Sequence, residues 1–352
     1  MPDTSIAPEF RIWINGSELP PEAAADLLSV SVSEMTEAAS TFELRLVTWD
    51  LDRLEMTWVD DDLFSEGNEV EVQMGYVDNL ETLIVGEITG LEPEFCADEV
   101  PTLTVRGYDL RHRLMRGRHT QTFTQMKDSD IASQIASDVG LTLEVEDTGS
   151  PIEYVMQRNQ THWEFLQSRA RRLGYEVIVS NKTLLFRPYG NADSEVLTLT
   201  REDDIIEFYP RLTTMPLVGE VAVRSWNPKE KEAIVGQAGA GDESGVMGGS
   251  SSGVQTTVDR FGETQTASVV RPVFSQAEAD NIALGEFQTM ALAYITGEGS
   301  CVGRTDLRSG TVIQLEGFGE RFSGAYYLTS TTHYYTPQRG YRTDFSVRRN
   351  AT

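Results

Sequence analysis

The side chains that most often carry out chemistry in proteins are few and scattered in this sequence. Its histidines and cysteines are His112, His119, His162, His333, Cys96 and Cys301. No two of the histidines lie four residues apart around a carboxylate, and neither cysteine belongs to a Cys-x-x-Cys pair, so the spacing of a zinc site is absent. A Gly-x-Ser-x-Gly motif, which would place a serine nucleophile on a sharp turn, is also absent. We therefore predict no catalytic residues, no metal and no cofactor.

Acidic residues keep one enzymatic alternative open. Asp60, Asp61 and Asp62 could bind a cation weakly, but they lack the Asp-x-Asp-x-Asp-Gly spacing of a calcium loop. A catalytic pair of carboxylates has no characteristic spacing in sequence. A hydrolase that uses two acidic residues in the middle of the chain therefore remains the alternative to a non-enzymatic protein. His333 follows a run of threonines in a predicted strand, where a hydrogen-bonded packing role is the simpler interpretation.

The charge of the chain is strongly negative and unevenly distributed. The sequence has 55 acidic and 29 basic residues, for a net charge of −26, and residues 1–106 alone carry 24 acidic residues against four basic ones. Such a surface lacks the lysines and arginines that bind a phosphate backbone. A short basic cluster does occur: Arg111, His112, Arg113, Arg116, Arg118 and His119. Because no aromatic residues are interleaved with it, we interpret it as a domain junction that neutralises carboxylates, and we predict no specific nucleic-acid partner.

Targeting segments are not evident. The sequence has no run of about 18 apolar residues, which predicts no direct membrane insertion. Its N-terminus lacks the basic and apolar regions of a signal peptide. Two cysteines do not form a disulfide framework, which favours folding in a reducing compartment.

Alternating polarity at a period of two identifies strands with one buried face. It occurs in residues 311–315, 325–335 and 341–349, with glycines between the runs, and this predicts an antiparallel meander. A similar order of glycines and strands occurs near residues 67–76, 82–94 and 101–107. The match is one of pattern rather than identity, and it predicts that one β-unit is built twice.

Between these units the sequence predicts a compact α+β unit. A helix over residues 128–139 can be capped by Asp128 or Ser129. A second helix over residues 161–173 has a capping box, with Thr161 at the cap and a glutamate three residues later. Trp163 and Leu166 lie on its apolar face and should be core residues. Strands are predicted over residues 141–145, 175–180 and 183–188.

The last part of the chain contains a strand over residues 218–226 and a helix over residues 275–294, which has a second capping box formed by Ser275 and Glu278. Residues 236–253 are rich in glycine and serine, so they cannot bury enough apolar surface to offset the entropy of ordering them. We predict a mobile loop there. A long strand over residues 295–304 leads into the meander.

In the first part of the chain, the acidic segment from Trp49 to Leu63 is predicted to be either a surface loop or a short helix.

Three stretches of this sequence resemble a known family. Residues 108–141 and 159–186 (YDLRHRLMRGRH and NQTHWEFLQSRARRLGYEVIVSNKTLLF among them) and the tail GFGERFSGAYYLTSTTHYYTPQRGYRTDFSVRR resemble the phage late control protein D family. That family includes the hub portion of VgrG spike proteins and of contractile injection systems. The similarity covers roughly residues 100–350, and the first 100 residues match only in β-character and acidity.

The resemblance implies a mainly β fold with an α+β insert, assembled as a trimeric ring. It implies two tube-type β-barrels, residues 1–106 and 205–352, separated by a middle α+β domain of residues 107–204. The second barrel would carry the 236–253 loop and the 275–294 helix as insertions. As a homotrimer, the protein would adapt a hexameric inner tube protein to a central spike. The chain ends at Thr352, so the spike is expected to be a separate protein.

The resemblance also implies a place and further partners. We expect a structural baseplate hub of a phage tail or injection particle, made and assembled in the bacterial cytoplasm with other baseplate components. The acidic residues of the first unit should then lie outside subunit contacts, on a channel wall or an outer face, because buried like charges repel each other.

Overall fold

The structure is a computed structural model that describes residues 7–77, 79–149, 151–173, 175–188, 197–227, 230–243, 245–247, 249–262, 266–270, 273 and 275–352. Over these residues the chain is mainly β, as the alternating sequence predicts. The helices and strands fall into three stretches along the chain.

The first stretch is almost entirely β. Its elements are β1 Pro8–Ile14, β2 Ser17–Glu18, α1 Pro21–Ala25, β3 Leu27–Met35, β4 Thr41–Val47, β5 Trp49–Asp50, β6 Glu55–Met56, a 3₁₀ turn Asp62–Phe64, β7 Glu69–Tyr76, β8 Asn79–Glu94 and β9 Thr102–Asp109. The predicted loop or helix between residues 49 and 63 is thus a small hairpin, β5–β6, followed by the 3₁₀ turn.

The second stretch mixes helices and strands. Its elements are α2 Arg111–Met115, β10 His119–Met126, α3 Asp128–Asp138, β11 Thr142–Val145, β12 Ile152–Gln160, α4 His162–Leu173, β13 Tyr175–Ser180 and β14 Thr183–Pro188. They surround a core of their own, to which Trp163 and Leu166 contribute buried side chains as predicted.

The third stretch returns to strands and adds two longer helices. Its elements are β15 Leu197–Thr200, β16 Ile205–Leu212, β17 Glu220–Asn227, β18 Glu232–Gly239, α5 Gly253–Phe261, β19 Thr266–Val270, α6 Gln276–Ala291, β20 Ile295–Val302, β21 Val312–Glu316, α7 Gly319–Phe322, β22 Gly324–Thr336 and β23 Gly340–Arg349.

One large sheet contains strands of the first and third stretches. Its order is β16-β20-β23-β22-β3-β4-β9-β8-β7-β1-β2, and β15 joins it by pairing with β21, which pairs with β22. Along β4 and β23 buried and accessible residues alternate, so each strand presents one face to a core. The two cores lie in different halves of this sheet, one in the first stretch and one in the third.

The two halves of the large sheet have the same strand order. The first β-unit has the order β3-β4-β9-β8-β7-β1, and the second β-unit has the order β16-β20-β23-β22-β21-β15. When the six strands of each half are numbered along the chain, their spatial order in the sheet is therefore the same in both halves. One pairing differs, because β1 is antiparallel to β7 whereas β15 is parallel to β21.

Irregularities in the pairing repeat as well. A register shift skips Leu28 in the β3–β4 pair and Ile206 in the β16–β20 pair. Another skips Thr89 in the β8–β9 pair and Thr329 in the β22–β23 pair. Because bulges are specific local features of a strand, their recurrence at matching places aligns the two β-units residue by residue.

Among the described strands, a single pair joins the two β-units. β22 of the second unit pairs antiparallel with β3 of the first, from Ser330 opposite Met35 to Tyr335 opposite Val30. We call this pair the internal seam. A buried polar network that includes Glu34 crosses it.

The structure corrects the predicted limits of the second β-unit. β17 does not join the large sheet, since it pairs with β18 and β19 in a separate three-stranded sheet packed on α6. β15 does join it, so the described part of this β-unit begins at Leu197 rather than at residue 205.

The Gly/Ser-rich segment is also more ordered than predicted. Residues 236–239 belong to β18, where they continue an antiparallel ladder with β17. At the other end Ser252 caps α5, accepting a hydrogen bond from the backbone N–H of Gln255 at 3.0 Å. The predicted loop therefore reduces to residues 240–251, of which 244 and 248 lie outside the described residues.

Helix caps follow the sequence in two cases out of three. Thr161 and Glu164 exchange side-chain hydrogen bonds with each other's backbone N–H at 3.0 and 3.1 Å, which confirms the capping box of α4. Ser275 accepts from the backbone N–H of Glu278 at 3.2 Å at the start of α6. In α3 the cap position belongs to Lys127 rather than to Asp128 or Ser129, because Asp128 is already the first residue of the helix.

Candidate functional site

The basic cluster lies where the first β-unit meets the middle unit. The Arg111 guanidinium is buried 3.8 Å from the Asp109 carboxylate and 5.0 Å from the centre of the Trp163 ring. Arg113 forms a hydrogen-bonded ion pair with Glu87. The hydrogen bond from Arg113 lowers the pKa of the Glu87 carboxyl. The prediction of a junction that neutralises carboxylates is confirmed for these residues.

The histidines of the middle region are held by neighbours rather than by a ligand. His112 Nε2 lies 2.7 Å from the Glu87 carboxylate, and the rings of His119 and His162 stack with centroids 3.9 Å apart. Burial lowers the pKa of both His112 and His162, so the neutral rings are favoured. In the part of the chain that the structure describes, no group of three or more His, Cys, Asp or Glu could hold a metal ion.

The two cysteines differ in environment. Cys301 is buried in β20, and burial raises its pKa to about 12, so its thiol is not a nucleophile at neutral pH. Cys96 is exposed just after β8. The two are therefore unlike in reactivity, and only Cys96 is accessible to a reagent.

The hydrolase alternative depends on carboxylates of the middle unit. Four of them are in ion pairs: Asp128 with Arg169, Asp147 with Lys127, Glu164 with Arg118 and Glu176 with Arg187. These four balance basic side chains, and their positions give the hydrolase alternative no support.

A buried polar network crosses the internal seam. Glu34 on β3 accepts hydrogen bonds from the Arg308 guanidinium at 3.0 Å and from the Thr331 hydroxyl at 3.2 Å. His333 Nε2 lies 3.1 Å from the carbonyl oxygen of Leu307, which can only accept, so Nε2 carries the proton. Its Nδ1 then accepts from the Tyr341 hydroxyl at 2.7 Å. The predicted packing role of His333 is thereby confirmed.

The face of the large sheet opposite its cores is polar, and we call it the polar face. In the first β-unit it carries two ion-paired arginines: Arg106 pairs with Glu43 at 2.9 Å and with Glu92 at 3.1 Å, and Arg45 pairs with Glu94 at 2.8 Å. Each charged group of this cluster has an opposite charge beside it. The cluster is therefore close to neutral, although the first stretch as a whole is strongly acidic.

The polar face of the second β-unit has a similar cluster. Arg342 forms ion pairs with Glu207 and with Asp344, and it donates to the Ser300 hydroxyl at 2.7 Å. A groove of about 260 Å³ lies beside Arg342 on this face. Charged side chains and hydroxyl groups make up most of its lining, together with Tyr209 and Phe345, whereas small-molecule sites are mostly apolar with a few polar groups.

Hydroxyl groups separate the two charged clusters along the internal seam. Ser33 and Thr332 face each other there with their hydroxyl oxygens 3.0 Å apart. The polar face is thus a continuous surface of ion pairs and hydroxyls that spans both β-units. Its residues were not singled out from sequence, although the period-two pattern places them together on the accessible side of each strand.

The excess acidity of the first stretch lies mainly outside the polar face. Asp60, Asp61 and Asp62 are exposed beside the 3₁₀ turn, where the Asp61 carboxylate accepts from the Leu63 backbone N–H at 2.8 Å. Asp61 therefore has a capping role in this structure, and the other two are solvated.

Comparison with protein families assigns the chain. Residues 5–336 match the family described as the Alg8 N-terminal domain. The chain belongs to this family. No curated protein matches the sequence.

Solved structures show which proteins share this fold. A 43 kDa tail protein of prophage MuSo2 from Shewanella oneidensis is similar with a TM-score of 0.75 at 15% identity, over 97% of this chain and 98% of that one. A tail protein from Neisseria meningitidis MC58 gives a TM-score of 0.69 at 14% identity, over 97% and 96%. The Escherichia coli c3393 protein, a type VI secretion component similar to T4 tail proteins gp27 and gp5, gives 0.59 at 12%, over 97% and 77%. At these identities the likeness establishes a tail-protein fold.

None of the helices in the described ranges is both long and apolar enough to cross a membrane.

Proposed function

We propose that this protein is a non-enzymatic structural component of a contractile phage tail or injection system, and that it acts there as a trimeric baseplate hub. The observation that carries the proposal is the six-strand order that occurs twice in one chain. Three such chains supply six similar units, which match a ring of six identical tube subunits.

The repeated unit solves a problem of symmetry. A hexameric inner tube presents six equivalent contacts, whereas a central spike at the other end of the hub has three-fold symmetry in the proposed assembly. A chain with two similar β-units can repeat a contact six times while its middle unit and insertions remain three-fold. The shared bulge positions favour this interpretation, since they make the two β-units alike in residue geometry as well as in strand order.

The polar face is the proposed wall of the channel. Its two arginine clusters have nearly balanced charge, and hydroxyl groups lie between them. A passing chain of either sign would find no large field of opposite sign to hold it. This differs from a negatively lined channel, because the excess acidic residues lie in loops such as residues 60–62.

The proposed partners follow from this role. They are two further copies of this chain, the hexameric tube protein, a separate spike protein and other baseplate components. We further propose that this hub is of the late control protein D and VgrG type, and the tail-protein fold supports this. Assembly would take place in the bacterial cytoplasm.

Solution mass tests the proposal. The purified chain, whose mass is 39.2 kDa, should form trimers by light scattering at micromolar concentration. Mixed with the hexameric tube protein of the same particle, it should form a complex of one trimer on one hexamer. A chain that stays monomeric with the tube protein present would overturn the hub proposal.

A further inference from the structure

The unpaired edges of the large sheet, over the residues that the structure describes, include those of β16 and β8. β16 ends the sheet, and no described strand pairs with its outer edge. β8 extends beyond β7, because β7 pairs with it only as far as Glu87, and residues 90–94 pair with β9 alone. Both edges carry exposed apolar side chains: Tyr209 is 67% exposed on β16 and Phe95 is 63% exposed just after β8.

Each of these two strands has a counterpart in the other β-unit whose corresponding edge is paired. The counterpart of β8 is β22, and the counterpart of β16 is β3. Those two strands pair with each other at the internal seam. The chain therefore contains one paired seam, formed by β22 and β3. It also has two unpaired strand edges, on β8 and β16, which correspond to the two sides of that seam.

The bulges fix which residues correspond. Gly90 follows the β8 bulge as Ser330 follows the β22 bulge. Glu207 follows the β16 bulge as Ser29 follows the β3 bulge. The correspondence continues without a gap to the ends of these strands, so each residue pair of the internal seam has a definite counterpart.

We propose that β8 of one copy of this chain pairs antiparallel with β16 of a second copy, in the register of the internal seam. This external seam has six cross-strand pairs: Gly90–Thr213, Leu91–Leu212, Glu92–Arg211, Pro93–Pro210, Glu94–Tyr209 and Phe95–Phe208. The number of copies rests on the proposed hub function, whereas the register rests on strand pairing alone.

The transferred pairs match in chemistry on both faces. On the core side, Leu91 meets Leu212 and Phe95 meets Phe208. On the polar face, Glu92 meets Arg211, an exposed arginine with no ion pair among the described residues. Cross-strand apolar and opposite-charge pairs both stabilise antiparallel sheets. These chemical matches are independent of the bulge positions, which alone set the register.

The core side of the external seam differs from that of the internal seam. Glu34 and Thr331, which belong to the buried polar network of the internal seam, correspond to Leu212 and Leu91. The external seam is thus apolar where the internal seam is hydrogen-bonded. Burial of Phe95 would account for a large exposed aromatic residue on an otherwise charged hairpin.

Two prolines make the external seam an incomplete ladder. Thr213 donates its N–H to the Tyr294 carbonyl, toward β20. Backbone groups alternate sides along a strand, so the ring nitrogen of Pro210 faces the open edge. By the same correspondence, Pro93 faces its own open edge and falls opposite Pro210. Neither can donate a hydrogen bond.

A ladder with facing prolines has two consequences. Pairs 91–212 and 95–208 can exchange backbone hydrogen bonds, but pair 93–210 cannot. The external seam is therefore weaker than the internal one, and copies separate there before a chain opens. Proline on an exposed edge also hinders pairing with unrelated strands, so the free chain is protected from aggregation.

Disulfide cross-linking of the full-length chain tests the register. Residues 94 and 209 form a non-hydrogen-bonded pair, whose Cα atoms lie ~4.5 Å apart in antiparallel sheets, within the range that disulfides span. The test variant carries Glu94→Cys and Tyr209→Cys, with Cys96→Ser to remove the exposed native thiol. The control carries Gly90→Cys, Tyr209→Cys and Cys96→Ser, which keeps the Glu92–Arg211 pair, has room for the new side chain at residue 90 and places the cysteines four residues out of register.

We expect covalent trimers from the in-register variant on a non-reducing gel, about tenfold more than from the control, because the control thiols lie too far apart. Both variants should keep the circular dichroism spectrum and melting temperature of the Cys96→Ser parent. If trimers form in solution but cross-link no better in register, the external seam is wrong and the hub proposal stands. If cross-links continue into chains longer than three, the seam stands and the three-fold ring falls.

Restoring the missing donors tests the role of the prolines. The variant Pro93→Thr with Pro210→Val should lower the trimer dissociation concentration by about tenfold, since it adds two backbone hydrogen bonds. The matched control is Pro216→Thr, in an exposed turn beyond β16, which should leave dissociation unchanged. Sedimentation at several concentrations gives the answer, and an unchanged or weaker trimer in a folded double variant would overturn this part of the proposal.

Discussion

His333 is the residue whose burial most directly links this fold to pH. Its ring is enclosed between Leu307, Tyr341 and Thr343 in the internal seam, with the Glu34 and Arg308 charges nearby. Burial lowers its pKa from 6.5 to about 4. Folding therefore requires the neutral ring, and the unfolded chain binds the proton first as the pH falls. This contribution is complete above pH 6.5 and is lost between pH 6.5 and pH 4.

A His333→Gln variant should isolate that effect. We expect the wild-type protein to be more stable than the variant at pH 7, and this difference to shrink by about 3 kcal/mol at pH 4, from the size of the pKa shift. Urea unfolding at several pH values measures it, and the variant serves as the control for carboxylates that titrate in the same range. A difference that stays constant with pH would show that the pKa of His333 is the same in the folded and unfolded protein.

Trp163 is the second residue with a definite expected effect. It is 6% exposed in the core of the middle unit, and the Arg111 guanidinium lies over its ring. Trp163→Ala should cost about 3–5 kcal/mol of unfolding free energy. Loss of partner binding with unchanged stability would instead make Trp163 an interface residue. Tyr154, which is 57% exposed on β12 of the same unit, offers a control, since Tyr154→Ala should change stability little.

At the scale of elements, the packing of β18 on α6 depends on Gly236. A Cβ at this position would lie 2.2 Å from the backbone carbon of Ala279, so Gly236→Ala forces strand and helix apart. We expect a loss of about 1–3 kcal/mol, as for other overpacked sites. Gly285 lies on the same helix, where an added Cβ would have nothing within 4 Å, and Gly285→Ala should stabilise by about 0.5–1 kcal/mol through helix propensity. Thermal unfolding of the two variants should shift in opposite directions, and a tolerated Gly236→Ala would contradict the packing.

Elements with a local signal could be predicted from the sequence, and elements whose partners are remote could not. Capping residues predicted α4 and α6, and period-two alternation predicted the strands of both meanders. β17 looks like any half-buried strand, and nothing local says that it leaves the large sheet to pair in parallel with β19. Gly236 and Gly239 predicted a loop because glycine usually disfavours strands, whereas here Gly236 is required by the close approach of α6.

The candidate surface was predictable only in part for the same reason. Alternation places Glu43, Glu92 and Arg106 on the accessible side of their strands, but their ion pairs depend on the register between strands. Pro93 and Pro210 each mark an edge strand by themselves. Only the repeated bulges show that the two face each other when copies of the chain meet.

At the scale of the whole molecule, the ion pair between Glu34 and Arg308 holds the two β-units together across the internal seam. Glu34 also accepts from the Thr331 hydroxyl and the Ser309 backbone N–H, so it has several donors in a largely buried site. Removal of Arg308 would leave this carboxylate without its counter-charge. Breaking a fully buried pair costs about 3–5 kcal/mol, and since the Arg308 side chain is 32% exposed, we expect about 2 kcal/mol for Arg308→Met.

A double variant distinguishes the effect of the two charges from the effect of the volume that the two side chains fill. Glu34→Leu with Arg308→Met removes both charges, and it should recover most of the lost stability because two apolar groups need no counter-charge. Arg45→Met breaks an exposed pair with Glu94 on the polar face and should change stability by less than about 1 kcal/mol. Equal effects of Arg308→Met and Arg45→Met in urea unfolding would show that the internal seam is held by its strand pairing alone. The orientation of one β-unit relative to the other, on which a six-fold arrangement depends, would then rest on backbone hydrogen bonds rather than on this buried pair.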